Sequence, residues 1–168
     1  MKRSILFLLA MACLSVSSPS LAGERNAAAG LEKLKSLSGV WHAKDEDGRP
    51  VTVTYAVVSG GSAVMETIQH DQDADMVTIY HLDGERLMMT HYCALGNQPR
   101  MKAAAIPDGE VKDIRFSFVS GTNMKKNDPH MHGLTISFLD ADHANATWSL
   151  YEKGRMKFAV VFEMVRKS

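Results

Sequence analysis

Turn-forming sequences divide residues 39–166 into ten short segments, and this spacing constrains the fold more than any other feature. The segments are rich in Val, Ile, Thr, Phe and Tyr, which favour β-strands. The turns contain Gly, Asn, Asp or Pro, as at Asp47-Gly48 and Asp83-Gly84. Strands are therefore predicted at 39–44, 50–58, 62–70, 75–82, 85–94, 100–106, 111–120, 131–139, 144–152 and 155–166.

Ten consecutive strands with tight turns predict an all-β protein, an up-and-down antiparallel β-barrel of about ten strands. Closure into a barrel removes the unpaired edges of the sheet. Before the first strand, Leu31, Leu34 and Leu37 recur at three-residue steps, which predicts a short N-terminal helix that caps one end. The expected organisation is a signal peptide over residues 1–22, the helix and lead-in over 23–38, and the barrel domain over 39–168.

The first residues have the pattern of a signal peptide. Lys2 and Arg3 precede an apolar run, and small residues at Ser20-Leu21-Ala22 predict cleavage after Ala22. An alternative is a lipoprotein box that ends at Cys13, which would anchor the protein through that cysteine. Both interpretations predict export, to the periplasm or to the exterior.

Composition excludes several classes of partner. Lys and Arg total 19 and so do Asp and Glu, so no basic excess points to nucleic acid. After the leader, no apolar run approaches the roughly 18 residues of a membrane span. Cleavage after Ala22 leaves Cys93 without another cysteine, so no intramolecular disulfide is expected. The sequence does not indicate an oligomeric state.

A short motif and one distant arginine resemble a known family. Gly39-Val40-Trp41 opens the first predicted strand, and Arg166 lies near the end of the last one. This pattern resembles the lipocalin-like, or calycin, β-barrels. The resemblance implies that Trp41 stacks under Arg166 at the closed end, a cation–π contact. The stretch Thr90 to Met101 is also similar to a string in exported bacterial proteins of unassigned function.

The Asp83-Gly84 turn predicts the register of one hairpin. With those two residues as the loop, Tyr80 faces Leu87 and Met76 faces His91. Alternation then places Tyr80, His91 and Cys93 on one face, which we assign to the interior because the other face carries charged residues. Tyr80 and His91 could serve there as a proton-transfer pair.

A second group of histidines follows a proline turn. His130 and His132 fall in step with Leu134, on a row predicted to point inward, while Met131 falls on the other face. With His91 and Cys93, these histidines could hold a transition metal or haem, because imidazole and thiolate suit zinc, copper or iron. The alternative is that both are ordinary rim residues.

Glu66 can be assigned to either face. If it alternates inward with Val64 and Ile68, it is a carboxylate among apolar residues with a raised pKa, and it needs a partner such as Arg100 or Arg115. If it faces solvent, Met65 faces the core instead.

The sequence Gly96-Asn97-Gln98-Pro99 is first of all a turn. Asn97, Gln98 and Arg100 could also bring amide and guanidinium donors to the barrel opening, suited to a carboxylate or phosphate. The rest of the predicted cavity lining is mainly aromatic: Trp41, Tyr55, Tyr80, Met89, Phe116, Phe118, Trp148 and Phe162.

These observations favour an exported binding protein that holds a small, largely apolar ligand inside the barrel. The ligand contacts expected are Glu66, Tyr80, His91, Cys93, Asn97, Gln98, Arg100 and Trp148. The alternative is a metal- or haem-binding barrel, with or without enzymatic activity, built from His91, Cys93, His130 and His132. A packed barrel with no cavity is a third interpretation. The sequence does not determine whether a reaction is catalysed.

Overall fold

The computed structural model describes residues 22–70 and 73–167. One helix precedes ten strands, and a short 3-10 turn lies between the second and third strands. The elements are α1 (Ala22–Lys35), β1 (Gly39–Lys44), β2 (Pro50–Val58), β3 (Ala63–His70), β4 (Met76–Asp83), β5 (Arg86–Tyr92), β6 (Gln98–Ala103), β7 (Asp113–Thr122), β8 (His130–Phe138), β9 (His143–Glu152) and β10 (Arg155–Arg166).

The strands form one closed antiparallel barrel in which each strand pairs with its neighbours in sequence. The ring closes where β1 meets β10, through Trp41 opposite Arg166 and His42 opposite Val165. The all-β barrel of about ten strands with a short N-terminal helix is confirmed. The strand predicted at 100–106 is displaced, because β6 already begins at Gln98.

The helix α1 plugs one end of the barrel, as its leucine spacing predicts. Leu31, Leu34 and Leu37 are buried in the same core cluster as Trp41. Gly30 lies so close to Ile106 that a Cβ atom there would collide with its side chain. Turns alternate between the two ends of an up-and-down barrel, so α1 shares its end with the β2–β3 and β4–β5 turns. The opposite end, which carries the β1–β2 loop (45–49), is called the far end below.

The contact implied between Trp41 and Arg166 is present. The Arg166 guanidinium carbon lies 4.2 Å from the centre of the Trp41 ring. Arg166 also donates hydrogen bonds to the carbonyl oxygens of Ser36 (3.0 Å) and Ser38 (2.8 Å), and the Trp41 indole donates to Leu37 (2.7 Å). One side chain thus ties the last strand to the segment that joins α1 to β1.

Alternation along the strands predicts most of the core correctly. Ile114 and Phe116 are buried, and so are Trp148 and Phe162. Two strand ends are more exposed than this core: Val57 is 44% exposed, and Phe158, which points inward at the far end of the barrel, is 46% exposed.

The predicted register of the β4–β5 hairpin is wrong by two residues. Asp83 pairs with Arg86, so the two-residue loop is Gly84-Glu85 and not Asp83-Gly84. Tyr80 therefore faces Met89, and His91 faces Thr78 instead of Met76. A shift of two residues preserves the face of every side chain, which is why the interior assignment of Tyr80 and His91 still holds.

The predicted signal peptide, with its alternative lipid-anchor residue Cys13, lies outside the described residues except for Ala22, where α1 begins. Within residues 22–70 and 73–167, no helix has the length and apolar character needed to span a membrane.

Candidate functional site

A row of polar side chains crosses four adjacent strands inside the barrel. Tyr55 on β2 pairs with Glu66 on β3, Glu66 pairs with Thr78 on β4, and Thr78 pairs with His91 on β5. All four are buried, at 2% exposure or less. Directly paired residues in neighbouring strands point to the same face, so the register itself brings these groups together.

Glu66 is fully buried and points inward, so the interior alternative for its face is correct. The hydroxyl of Tyr55 donates to Glu66 Oε1 at 2.6 Å and that of Tyr80 donates to Oε2 at 2.9 Å. The arginines expected as partners lie elsewhere, because Arg100 and Arg115 are exposed on the outside. Hydroxyl groups therefore solvate this carboxyl group in place of a cation.

Burial is the main cause of the pKa shifts in this row. It raises the pKa of Glu66, and the hydroxyls of Tyr55, Thr78 and Tyr80 partly oppose this because they hydrogen-bond the carboxyl group. Burial and the neighbouring Glu66 charge raise the pKa of Tyr55 and Tyr80 well above the usual value. Both phenols therefore stay protonated and act as donors.

His91 ends the row. Its Nδ1 lies 2.9 Å from Thr78 Oγ1, and its ring lies 4.5 Å from the Trp148 ring, centre to centre. Burial lowers the pKa of His91 to about 4. The imidazole is therefore neutral near pH 7, with one protonated and one unprotonated nitrogen.

A cavity of about 280 Å³ lies beside His91 and extends toward the far end. Its walls are mainly apolar, and three ring side chains with polar nitrogens complete them. The apolar residues are Ile68, Met76, Met131, Phe158, Val160 and Phe162, and the ring residues are His70, His91 and Trp148. Of the aromatic lining predicted from the sequence, Trp148 and Phe162 line this cavity, whereas Trp41, Tyr55, Tyr80, Met89 and Phe116 belong to the packed core.

All three ring residues carry a buried nitrogen without a hydrogen-bond partner among the described residues. These atoms are His70 Nδ1, His91 Nε2 and Trp148 Nε1. A buried polar atom without a partner costs about 1–3 kcal/mol, so native proteins contain few of them. Their residues line the cavity, but these nitrogens are buried within its wall and do not open onto it.

Charged residues of the β1–β2 loop border the cavity at the far end. Asp45, Glu46, Asp47 and Arg49 all contribute to its wall. Asp45 accepts hydrogen bonds from the Arg49 side chain at 2.6 Å and from the Arg49 backbone N–H at 2.8 Å. This ion pair holds the loop together and leaves an excess of negative charge at the cavity rim.

The segment after β5 is a structural turn. The N–H of Cys93 donates to the Asn97 carbonyl at 3.1 Å, and the N–H of Gly96 donates to the Cys93 carbonyl at 2.9 Å. The Asn97 amide donates to the Pro129 carbonyl, and Gln98 accepts hydrogen bonds from Thr122 and Asn123.

These contacts use Asn97 and Gln98 to fix neighbouring loops, whereas Arg100 is exposed on the outside. In the described part of the chain, none of the three lines the cavity. Cys93 is a buried free thiol, and burial raises its pKa.

The predicted alternation at the start of β8 is wrong. A bulge between Met131 and Gly133 inserts one extra residue, so that Met131 pairs with Leu150 and lines the cavity. His130 Nε2 and His132 Nδ1 lie 3.0 Å apart, and the His132 ring stacks on Tyr151 at 4.1 Å. The two histidines therefore form a ring cluster with Tyr151 and Phe118.

The structure does not gather the four residues of the metal alternative. Among residues 22–70 and 73–167, no three His, Cys, Asp or Glu side chains are grouped so as to hold a metal ion. His91 lies beside Trp148 and Thr78, whereas His130 and His132 contact each other.

Sequence reasoning missed several residues of the site. Thr78 connects Glu66 to His91, but its role depends on the correct hairpin register. His70 ends β3, where it resembles an ordinary turn residue, and the acidic β1–β2 loop resembles a solvated turn. The only available signal was the alternation that places His70 in step with Ile68 and Glu66.

Comparisons with known proteins support the fold alone. No protein-family model matches the sequence, and no curated protein gives a significant match. A solved structure from Nostoc punctiforme, of a DUF3598-family protein with unknown function, is similar with a TM-score of 0.54 and 12% sequence identity. The similarity covers 80% of this chain and 49% of that protein, so the chain spans about half the length of this neighbour.

Proposed function

We propose that this protein is an exported binding protein that holds a small, largely apolar molecule in the cavity beside His91 and Trp148. The observation that carries the proposal is the mainly apolar cavity inside the barrel, with His70, His91 and Trp148 in its wall. Apolar walls with a few polar groups are typical of small-molecule sites. The apolar residues of the wall supply the affinity.

The cavity volume restricts the ligand to a compact molecule. Small-molecule sites usually enclose about 300–1,000 Å³, and this cavity of about 280 Å³ lies just below that range. The negative charge of the β1–β2 loop disfavours anionic ligands at the rim. A compact neutral molecule fits both conditions.

The proposal also includes a lipocalin-like barrel and export through a signal peptide. The stacking of Arg166 on Trp41 supports the resemblance. The basic and apolar pattern of residues 1–22 supports export to the periplasm or the exterior. Fractionation of cells that express the full chain, with detection of cleavage after Ala22, tests the location separately from ligand binding.

A cavity-filling substitution tests the binding site. Val160 lines the cavity, and its neighbour Val161 is exposed on the other face of the same strand. In a fluorescence titration with the neutral apolar probe N-phenyl-1-naphthylamine, Val160→Trp should weaken binding by at least about tenfold. This loss corresponds to roughly 1.4 kcal/mol and arises because the indole occupies the ligand volume.

The matched control is Val161→Trp, which adds the same side chain to the outer face and should leave binding unchanged. Equal binding by both variants would place the probe outside the cavity. If the unsubstituted protein does not bind the probe, the proposed function is contradicted.

A further inference from the structure

The last strand of the barrel has one edge without a partner over most of its length. β10 pairs with β9 along nearly the whole strand. On its other side it pairs with β1 only through Val165 and Arg166. Within residues 22–70 and 73–167, no strand pairs with this side of β10 at positions 155–164, which we call the open edge. An unpaired strand edge is a template for pairing with another strand.

A groove separates the open edge from the end of β1. Lys44 and Asp45 line one side of this groove, and Val161 and Glu163 line the other. Val161 is 46% exposed, and Ala159 and Glu163 are exposed as well. The open edge is therefore accessible from the outside of the barrel.

Two backbone hydrogen bonds show which residues of β10 point toward the open edge. The N–H of Lys167 donates to the Val40 carbonyl at 2.8 Å, on the β1 side. The N–H of Arg166 donates to the Asp142 carbonyl at 2.9 Å, on the β9 side. Successive residues of an antiparallel strand direct their N–H and C=O groups to alternate sides. The odd-numbered residues therefore point toward β1, and farther along the strand toward the open edge.

The same alternation continues to the middle of the strand, because the register with β9 is uninterrupted from Phe158 to Val165. The N–H and C=O groups of Ala159, Val161 and Glu163 therefore point to the open edge. They are the groups to which a further strand would bind.

The sequence of the open edge is complementary to itself in the antiparallel direction. Residues 157–163 read Lys-Phe-Ala-Val-Val-Phe-Glu, with Val160 at the centre. A two-fold axis at Val160 would place three pairs of matching residues opposite each other in two copies of the chain: Ala159 and Val161, Phe158 and Phe162, and Lys157 and Glu163. Ala159 and Val161 both direct backbone groups to the edge, as a hydrogen-bonded pair requires.

The charges at the two ends of this segment favour a second copy as the partner. Lys157 and Glu163 are both exposed, and the Lys157 ammonium also lies 3.0 Å from a carboxyl oxygen of Glu152. Charges of one sign at both ends would repel a second copy. Opposite charges at equal distances from Val160 instead give two attractive cross-strand contacts in each dimer.

We propose that this protein forms a two-fold symmetric dimer in which the open edges of two β10 strands pair in antiparallel orientation. The pairing is centred on Val160, and Lys157 of each copy forms an ion pair with Glu163 of the other. One continuous sheet then joins the two barrels. An interface of one strand pair is small, so the dimer is weak and forms as the protein concentration rises. This inference goes beyond the proposed function, because it concerns the sheet edge and not the ligand.

Charge reversal tests the pairing. Lys157→Glu and Glu163→Lys each replace both attractive contacts of the dimer by repulsive ones. In analytical ultracentrifugation, each variant alone should have a dimer dissociation constant at least about tenfold above that of the unsubstituted protein. An equal mixture of the two variants restores opposite charges at both contacts and should form a heterodimer as tight as the original dimer. Mixing cannot repair a folding defect, so this recovery is specific to the interface.

The matched control is Lys102→Glu, which makes the same charge change at an exposed position of β6. It should dimerise like the unsubstituted protein. The proposal would be overturned by an unsubstituted protein that stays monomeric up to about 1 mM. It would also be overturned if the mixture of Lys157→Glu and Glu163→Lys formed no more dimer than either variant alone.

Amide hydrogen exchange separates strand pairing from other contacts between copies. As the protein concentration rises, exchange at Ala159 and Val161 should slow, because these amides point to the open edge. Exchange at Val160 and Phe162 should not change, because these amides already point to β9. Full protection of Ala159 and Val161 in dilute protein would overturn the proposal, since another segment of the same chain would then occupy the edge. The probe titration uses dilute, monomeric protein, so failure of the dimer leaves the proposed function intact.

Discussion

At the scale of single residues, Glu66 and His91 are the least ordinary groups in the protein. A buried carboxyl group normally needs a cation, yet Glu66 is bound by hydroxyl groups. His91 ends the same row, and burial lowers its pKa. Both residues are held by hydrogen bonds from neighbouring strands, so removal of a partner should have a measurable effect.

Removal of one phenol hydroxyl should destabilise the protein. Tyr55→Phe keeps the ring but deletes the donor to Glu66 Oε1, and we expect the free energy of unfolding to fall by roughly 1–3 kcal/mol. Urea unfolding at neutral pH measures the change. Tyr92→Phe, at a tyrosine that is 50% exposed, is the control and should be nearly neutral. Equal effects of the two substitutions would contradict the hydrogen-bonding role of Tyr55.

Acid should destabilise the fold through His91. The pKa of His91 falls from 6.5 to about 4 on folding, so between these values the unfolded chain binds a proton that the folded chain does not. The unfolded state binds more protons, and stability therefore decreases as the pH falls through this window, by roughly 3 kcal/mol in total. Unfolding at about pH 7 and about pH 4 should show a smaller loss for His91→Phe than for the unsubstituted protein. The same loss in both would assign the acid sensitivity to other groups.

At the scale of elements, local contacts decide how α1 and the strand ends are placed. Gly30 allows α1 to approach Ile106 and Leu87 closely, and the β8 bulge brings Met131 to the cavity. Neither feature can be predicted from the helix or strand propensity of its own segment. Each depends on the element that packs against that segment.

Gly30→Ala should destabilise the protein although alanine is the better helix former. Its Cβ would collide with the end of the Ile106 side chain, and overpacking costs about 1–3 kcal/mol, against a gain of about 1 kcal/mol from helix propensity. Adding Ile106→Val removes the methyl group in the collision, so the double variant should recover most of the loss. Thermal unfolding of the single and double variants measures both effects. No recovery in the double variant would mean that α1 packs differently.

At the scale of the whole molecule, closure of the barrel depends on a short seam. The β1–β10 register comprises Trp41 with Arg166 and His42 with Val165. The Arg166 side chain adds hydrogen bonds to the carbonyl groups of Ser36, Ser38 and Ala141. Arg166 therefore connects β1 and β10 to each other and to the segment that follows α1.

Arg166→Lys should loosen this seam even though it keeps the charge. Lysine cannot stack a planar guanidinium on Trp41 or reach several carbonyl groups at once, and we expect a loss of roughly 1–3 kcal/mol. Amide hydrogen exchange should become faster in β1 and β10 than in the remaining strands. Arg155→Lys, at an exposed position of the same strand, is the control and should have little effect. Uniform acceleration in all strands would argue against a local seam.

The architecture was predictable because it depends on local signals. Strand boundaries follow turn residues, and faces follow alternation, so the ten strands and the interior positions of Tyr80, His91 and Trp148 could be derived from the sequence. Even an error of two residues in the β4–β5 register kept the correct faces, because the side-chain period is also two. Bulges have no comparable signal, and the face predicted for Met131 was wrong where one occurs.

Local patterns in the sequence specify the class of fold, the pattern of the core and the residues able to carry chemistry. The inward position of Glu66 among hydroxyl groups, the position of Thr78 between Glu66 and His91, and the separate cluster of His130 and His132 became visible only in three dimensions. The difference lies in the range of the interactions. Turn geometry and alternation act between near neighbours in the chain, whereas a site is set by the relative register of several strands, which is fixed when the whole barrel closes.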